Sequence, residues 1–275
     1  MPTLHLTPEQ LRWIASRLTT ERWIRALVRI EDRDTGAALP FDLWPAQVEA
    51  LAAFEAHRLL VVLKARQLGL TWLALAYTVR RMVQRPGYWA TGLSRGGNEA
   101  KELARRVAFI VRHLPGWLVQ YGRARPPLLG WDATSERVVI YHPGAEPSVF
   151  QSLPASQDAG RTFTSSLVIL DEWAFQEYAR EIWAAAYPTI NRPGGAGQVI
   201  GISTGRTGTL FEEVWQGAQR GENGFHPIFL PWAADPRRTP EWYEQTKRDL
   251  PNTYRSEYPS TPEEAFTVGA GAAFP

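Results

Sequence analysis

Leu59-Leu60-Val61-Val62-Leu63-Lys64-Ala65-Arg66-Gln67-Leu68-Gly69-Leu70-Thr71 joins five consecutive apolar residues to a short polar turn and then to a helical period running to Val83. An unbroken apolar run of that length reads as a strand buried on both faces, and the step from strand to turn to helix is the unit of a parallel α/β sheet. A turn in that position can aim successive backbone N–H groups and a helix N-terminus at phosphate oxygens. Set against the phosphate-loop pattern G-x-x-x-x-G-K-[ST], only Gly69 and Thr71 match; Lys64 takes the first glycine position and Leu70 the lysine position. An ordinary strand-to-helix turn with an incidental lysine fits the residues as well.

Outward from this stretch the alternation continues. Tyr88 to Leu93 and Gln198 to Ile202 read as strands, Asn98 to His113 as a helix, and Leu167 to Leu170 as the most apolar strand. Arg137 to Tyr141 and Ser148 to Leu153 predict a β-hairpin across His142-Pro143-Gly144, an insertion at the sheet edge. Upstream, Thr7-Pro8-Glu9-Gln10 is a capping-box helix start, with Leu11, Ile14, Ala15 and Leu18 on one face and a second amphipathic stretch at Trp23, Leu27 and Ile30. Helical spacing puts Trp13 and Trp23 in the core. The expected organisation is a helical segment over 1–35, a nucleotide-binding core over 36–250 and a tail over 251–275.

The apolar strand from Leu167 ends in Asp171-Glu172, two carboxylates at a carboxyl end, where open α/β sheets bind ligands. One such acid can hold Mg²⁺ together with the Thr71 hydroxyl, and the next can polarise a water for attack on a phosphate. Alone, an Asp-Glu pair after a strand is often a solvated turn. In the right order with the loop, the two signals support a nucleotide hydrolase. Gln47, in Trp44-Pro45-Ala46-Gln47, has an amide able to pair with an adenine edge, or it is a polar residue on a helix packed by Val48, Leu51 and Phe54. Arg161, in a small-residue loop, is either a phosphate-stabilising guanidinium or a surface arginine. Ser203-Thr204-Gly205 would set hydroxyls beside a terminal phosphate, or form a plain turn before the helix from Thr209.

Composition narrows the chemistry further. With 275 residues, 44% hydrophobic and 21% charged, disorder is excluded, and no apolar run approaches the ~20 residues of a membrane span. The absence of cysteine excludes thiolate metal sites and disulfides, and five scattered histidines argue against zinc. The net charge of +2 does not compel nucleic-acid binding. Arg80-Arg81 with Arg85, Arg105-Arg106 with Arg112, Arg123 with Arg125, and Arg237-Arg238 are local basic clusters, most of them read as solvated helix faces.

In order, Trp44-Pro45-x-Gln47, Lys64 to Thr71, Leu167 to Glu172, Ser203-Thr204-Gly205 and Tyr258-Pro259-Ser260-Thr261-Pro262-Glu263-Glu264-Ala265-Phe266 resemble the N-terminal ATPase domain of the large terminase subunit of tailed bacteriophages, over nearly the whole chain. The resemblance implies a RecA-like P-loop NTPase of the ASCE type, with a mainly parallel central sheet and helices on both faces. It implies ATP and Mg²⁺ as cofactors, with Trp44 and Gln47 recognising adenine. Lys64, Arg66, Gln67, Leu68, Gly69, Leu70 and Thr71 would form a variant phosphate loop, Thr71 and Asp171 the metal site, Glu172 the catalytic base and Ser203, Thr204 and Gly205 the coupling motif. Arg161 would be an arginine finger given to a neighbouring subunit, with Arg66 its rival in the same chain. The implied activity is ATP hydrolysis that drives double-stranded DNA into a procapsid. A homo-oligomeric ring, a pentamer on the phage portal, would carry it out with the small terminase subunit, in the host cytoplasm and without a membrane. Nuclease activity is expected in a further domain and not in these residues. A single-lobed helicase-like ATPase and a catalytically weak nucleotide-binding assembly protein are the alternatives.

Overall fold

The computed structural model describes residues 6–157, 159, 165–191 and 197–267. Helix α1 (Pro8–Arg17) starts at the predicted capping box, in which Gln10 N–H donates to the Thr7 hydroxyl and Thr7 N–H to the Gln10 side chain. Helix α2 (Thr20–Leu27) buries Trp23 and Ile24, and Ile30 lies in the small antiparallel ribbon of β1 (Arg29–Glu31) and β2 (Ala38–Pro40) rather than on a helix. Trp13 departs from the expected core position: it is 59% exposed, because Ala15 is the one residue of α1 that reaches the core, and the Arg17 guanidinium lies over its ring.

Helix α3 (Pro45–Ala56) leads into β3 (Leu59–Lys64), α4 (Leu70–Gln84), β4 (Trp89–Ser94) and α5 (Gly97–Arg112). Three short strands follow, β5 (Val119–Tyr121), β6 (Leu129–Ala133) and β7 (Arg137–Tyr141), then β8 (Ser148–Pro154), β9 (Leu167–Asp171), α6 (Ala179–Ile190), β10 (Gln198–Ser203), α7 (Leu210–Gln219) and β11 (His226–Leu230). Helices α8 (Pro240–Asp249), α9 (Tyr254–Glu257) and α10 (Pro262–Ala265) close the described chain.

The strands form one nine-stranded sheet in the order β11-β3-β10-β9-β4-β8-β7-β6-β5. Its centre, from β11 to β8, is parallel throughout, and the predicted hairpin of β7 and β8 is the antiparallel extension. The period-two alternation of strand side chains splits the core into two layers. Leu60 and Val62 of β3 and Ile169 of β9 join α2, α3, α4 and α5, whereas Val61, Leu63, Val168 and Leu170 join α6 and α7. Helices thus cover both faces, and β10 separates the loop-bearing strand β3 from the acid-bearing strand β9, the strand order of a RecA-like fold. Among the described residues, no helix is long and apolar enough to cross a membrane.

Candidate nucleotide site

The turn after β3 folds around two residues in left-handed conformation, Gln67 at φ 61° and Gly69 at φ 70°. Leu68 and Leu70 turn inward and are 1% exposed, which leaves Arg66 and Gln67 outside. At the position where the common phosphate-loop pattern has lysine, Leu70 is therefore a core residue. Lys64 lies at the end of β3 and is itself buried, with its Nζ 3.0 Å from Glu172 Oε1. Thr71, at the start of α4, donates its hydroxyl to Asp171 Oδ1 at 2.8 Å. The loop and the acidic strand therefore meet twice, through a lysine–glutamate and a threonine–aspartate pair.

Burial pushes the Asp171 carboxyl up to about 6, and the neighbouring Glu172 charge acts in the same direction; the Thr71 hydrogen bond and Lys64 oppose them. Two hard oxygen donors, one a carboxylate short of compensating positive charge, fit a magnesium ion, which commonly binds one or two protein oxygens together with phosphates and water. Beside them opens a cavity of about 630 Å³, lined by Lys64, Arg66, Gln67, Asp171 and Glu172 and also by Ser94, Arg95, Asn98, Glu99, Glu102 and Arg106. The second group comes from the end of β4, the turn after it and a polar face of α5. Sequence reading missed it, although Ser94-Arg95-Gly96-Gly97-Asn98 follows a strand and the polar positions recur at helical spacing. Each cavity arginine has a carboxylate partner: Arg66 with Glu257, Arg95 with Glu99 at 2.8 Å and Arg106 with Glu102 at 2.9 Å.

Gln47 sits under the loop and outside the cavity wall. Its Oε1 accepts the Trp44 N–H at 3.0 Å, and its Nε2 donates to the Leu68 carbonyl at 2.9 Å, so the amide ties the start of α3 to the loop. Trp44 is half-buried, with the Arg237 guanidinium 4.9 Å from its ring centre. Ser203 and Thr204 are buried at the end of β10. The Ser203 hydroxyl accepts the Ala174 N–H at 3.1 Å, just past the acidic pair, and Gly205 lies against the Ala265 backbone of the tail. Arg66 is held on several sides: its N–H donates to the Glu257 carbonyl at 2.9 Å and its carbonyl accepts from Arg238 at 2.7 Å. Arg161 lies outside the described residues.

Two of the basic clusters hold a buried arginine side chain and are not the solvated faces that were expected. Arg80 is 8% exposed and donates to the Thr20 hydroxyl and the Leu18 carbonyl, fastening α4 to the first two helices. Arg238 stacks on Trp242 and Tyr258, whereas Arg105 lies on an exposed helix face as expected and bridges Glu31 and Glu102.

No protein-family profile matches the sequence. Solved structures do match. The ATPase domain of the large terminase of Thermus phage P74-26 aligns at TM-score 0.63 and 23% identity, over 76% of this chain and 90% of that one. A point mutant of the same domain aligns at 0.66 and 21%, over 82% and 95%. This chain has the fold of a phage large terminase ATPase domain. The bacteriophage HK97 large terminase shares that fold at TM-score 0.59 and 16% identity, over 86% of this chain and 54% of that one. A large terminase of a thermophilic bacteriophage, solved with ADP, aligns at 0.54 and 11%, over 75% and 50%.

Proposed function

We propose that this terminase-like domain binds ATP with Mg²⁺ in the cavity beside Lys64 and hydrolyses it to move double-stranded DNA into a viral procapsid. The observation that carries the reading is the double meeting of loop and acidic strand across β10: Lys64 with Glu172, and Thr71 with Asp171. A buried ammonium and a half-exposed carboxylate at the strand ends are the charges that phosphoryl transfer asks of a protein, one for the phosphates and one for the water.

In this reading the loop amides and Lys64 grip the phosphates. Magnesium, held by Thr71 and Asp171, would neutralise charge on the phosphate oxygens. As Lys64 turns to the phosphates it releases Glu172, whose Oε1 takes a proton from the attacking water while Asp171 stays ionised. An arginine then balances the transition state: Arg161 from a neighbour in a homo-oligomeric ring, or Arg66 from the same chain. The ring's docking on a portal, its exchange with a small terminase subunit and its setting in the host cytoplasm belong to the same proposal. So do the coupling role of Ser203, Thr204 and Gly205 and an adenine-side role of Trp44 and Gln47, for which the Gln47 amide would have to give up its bonds to Trp44 and Leu68.

Phosphate release measured with no DNA, with duplex DNA and with single-stranded DNA tests it. Magnesium-dependent release that duplex DNA stimulates is expected. A response mainly to single strands would turn the assignment toward a helicase, and no release under any condition would leave a nucleotide-binding assembly protein.

A further inference from the structure

Glu172 has a left-handed backbone, φ 49° and ψ 49°, which a residue with a Cβ adopts only when its surroundings impose it, at a cost of about 1–3 kcal/mol. Its side chain is 39% exposed and, among the described residues, pairs with Lys64. The backbone therefore decides where the carboxylate stands, and the anchors of that backbone lie just behind it.

The main anchor is Trp173. It is 1% exposed and packs against Phe211 and Phe225, with ring centres 5.9 Å away in each case. Its ring fills a slot in β10 that exists only because residue 201 is glycine: a Cβ there would come within 2.4 Å of the indole. Glycine inside a strand is unfavourable, and close approach of another group is a reason to keep it. The next residue is fixed too, by the Ala174 N–H on Ser203, and Gln176 donates to the Asp171 carbonyl at 3.0 Å and the Leu93 carbonyl at 3.2 Å.

We infer that Trp173, seated in the slot opened by Gly201, is a positioning residue for Glu172: the wedge holds the strained turn so that the carboxylate faces the cavity. The inference rests on the hydrolase reading, so the parent protein and Glu172→Gln are assayed first. If the parent releases no phosphate, or Glu172→Gln releases it normally, the hydrolase reading fails and not the wedge. Where both behave as proposed, Gly201→Ala should lower kcat by about tenfold or more while nucleotide affinity stays within about twofold, since small misplacements of a reacting group cost that much. Gly201→Ala combined with Trp173→Leu should recover the thermal stability lost in Gly201→Ala but not kcat. Recovery of kcat together with stability would reduce Trp173 to core packing and overturn the inference. Should Gly201→Ala fail to fold, Trp173→Phe decides: reduced kcat with unchanged nucleotide affinity supports the wedge, and unchanged kcat overturns it.

Discussion

Lys64 Nζ and Glu172 Oε1 stand 3.0 Å apart, so the cation proposed for the phosphates and the base proposed for the water are each other's partners. Nucleotide must compete with Glu172 for the ammonium. Replacing Glu172 with Gln removes the competitor and the base together. Turnover should fall by about 10²–10⁴-fold, the usual contribution of a general base. Nucleotide affinity should equal or exceed that of the parent. Parallel measurement of phosphate release and equilibrium nucleotide binding checks both, and a variant that loses binding along with turnover would show that Glu172 holds Lys64 in place and not in reserve.

A second consequence concerns Asp171, whose carboxyl is pushed up to about 6 by burial. In the unfolded chain it would titrate near 3.8. Between those values the folded state holds the extra proton, so this group's contribution to stability declines as pH rises through the window and is lowest above about pH 6. The full penalty is roughly 3 kcal/mol at 1.36 kcal/mol per pH unit. Asp171→Asn, measured by thermal unfolding with a chelator present, should raise Tm by several degrees at pH 7.5, and the gain should vanish as pH falls to about 4. An equal gain at both pH values would refute the electrostatic origin. Loss of turnover in the same variant is expected in magnesium.

Gly69 offers a test of the loop that does not touch a charge. At φ 70°, alanine would be strained by about 1–2 kcal/mol, and its Cβ would come 2.8 Å from Gln47 Nε2, the group that holds the Leu68 carbonyl. Gly69→Ala should therefore weaken nucleotide binding by about tenfold or more while costing only a few degrees of Tm. Removing the collision with Gln47→Ala should not restore binding, because the backbone strain remains and the tie to α3 is gone. Parental affinity in Gly69→Ala would move the nucleotide away from this loop.

The framework was legible because each part of it rests on local pattern. Buried apolar runs marked β3 and β9, helical periods marked α4 and α5, and the acids fell where an apolar strand stops. Other features depend on partners that no local pattern names. Arg80 looks like any helix arginine, yet it is buried under α1 and α2. Trp13 has the spacing of a core residue, but it stays 59% exposed, with the Arg17 guanidinium over its ring. Strand β11 escaped notice because Pro227 interrupts it, which an edge strand tolerates. Gln47 presents the same amide whether it meets a base or a backbone, and only the folded chain shows it spent on Trp44 and Leu68. Gly201 was readable in principle, as a glycine inside an apolar strand, although the indole that needs it comes from another strand end.

Which arginine completes the site can be settled by mixing subunits. If Arg161 reaches into a neighbour, Arg161→Ala and Glu172→Ala should each be inactive alone, and a finger is worth about 10³–10⁵ in rate. A mixed assembly differs, because a site with an intact Glu172 on an Arg161→Ala subunit can receive Arg161 from a Glu172→Ala neighbour. In a head-to-tail ring with equal random mixing, about a quarter of the sites should regain both groups. Specific activity of the parent should also rise steeply with protein concentration. Activity of Arg161→Ala on its own, independent of concentration, would take the role from Arg161 and give it to another group in the same chain. Arg66 is then the candidate, and since it is paired with Glu257, Glu257→Gln should raise its availability and increase kcat. The two mechanisms thus make different predictions for the same pair of preparations: a finger in trans leaves both components inactive and the mixture active, whereas Arg66 in cis leaves Arg161→Ala active by itself and the mixture midway between the two.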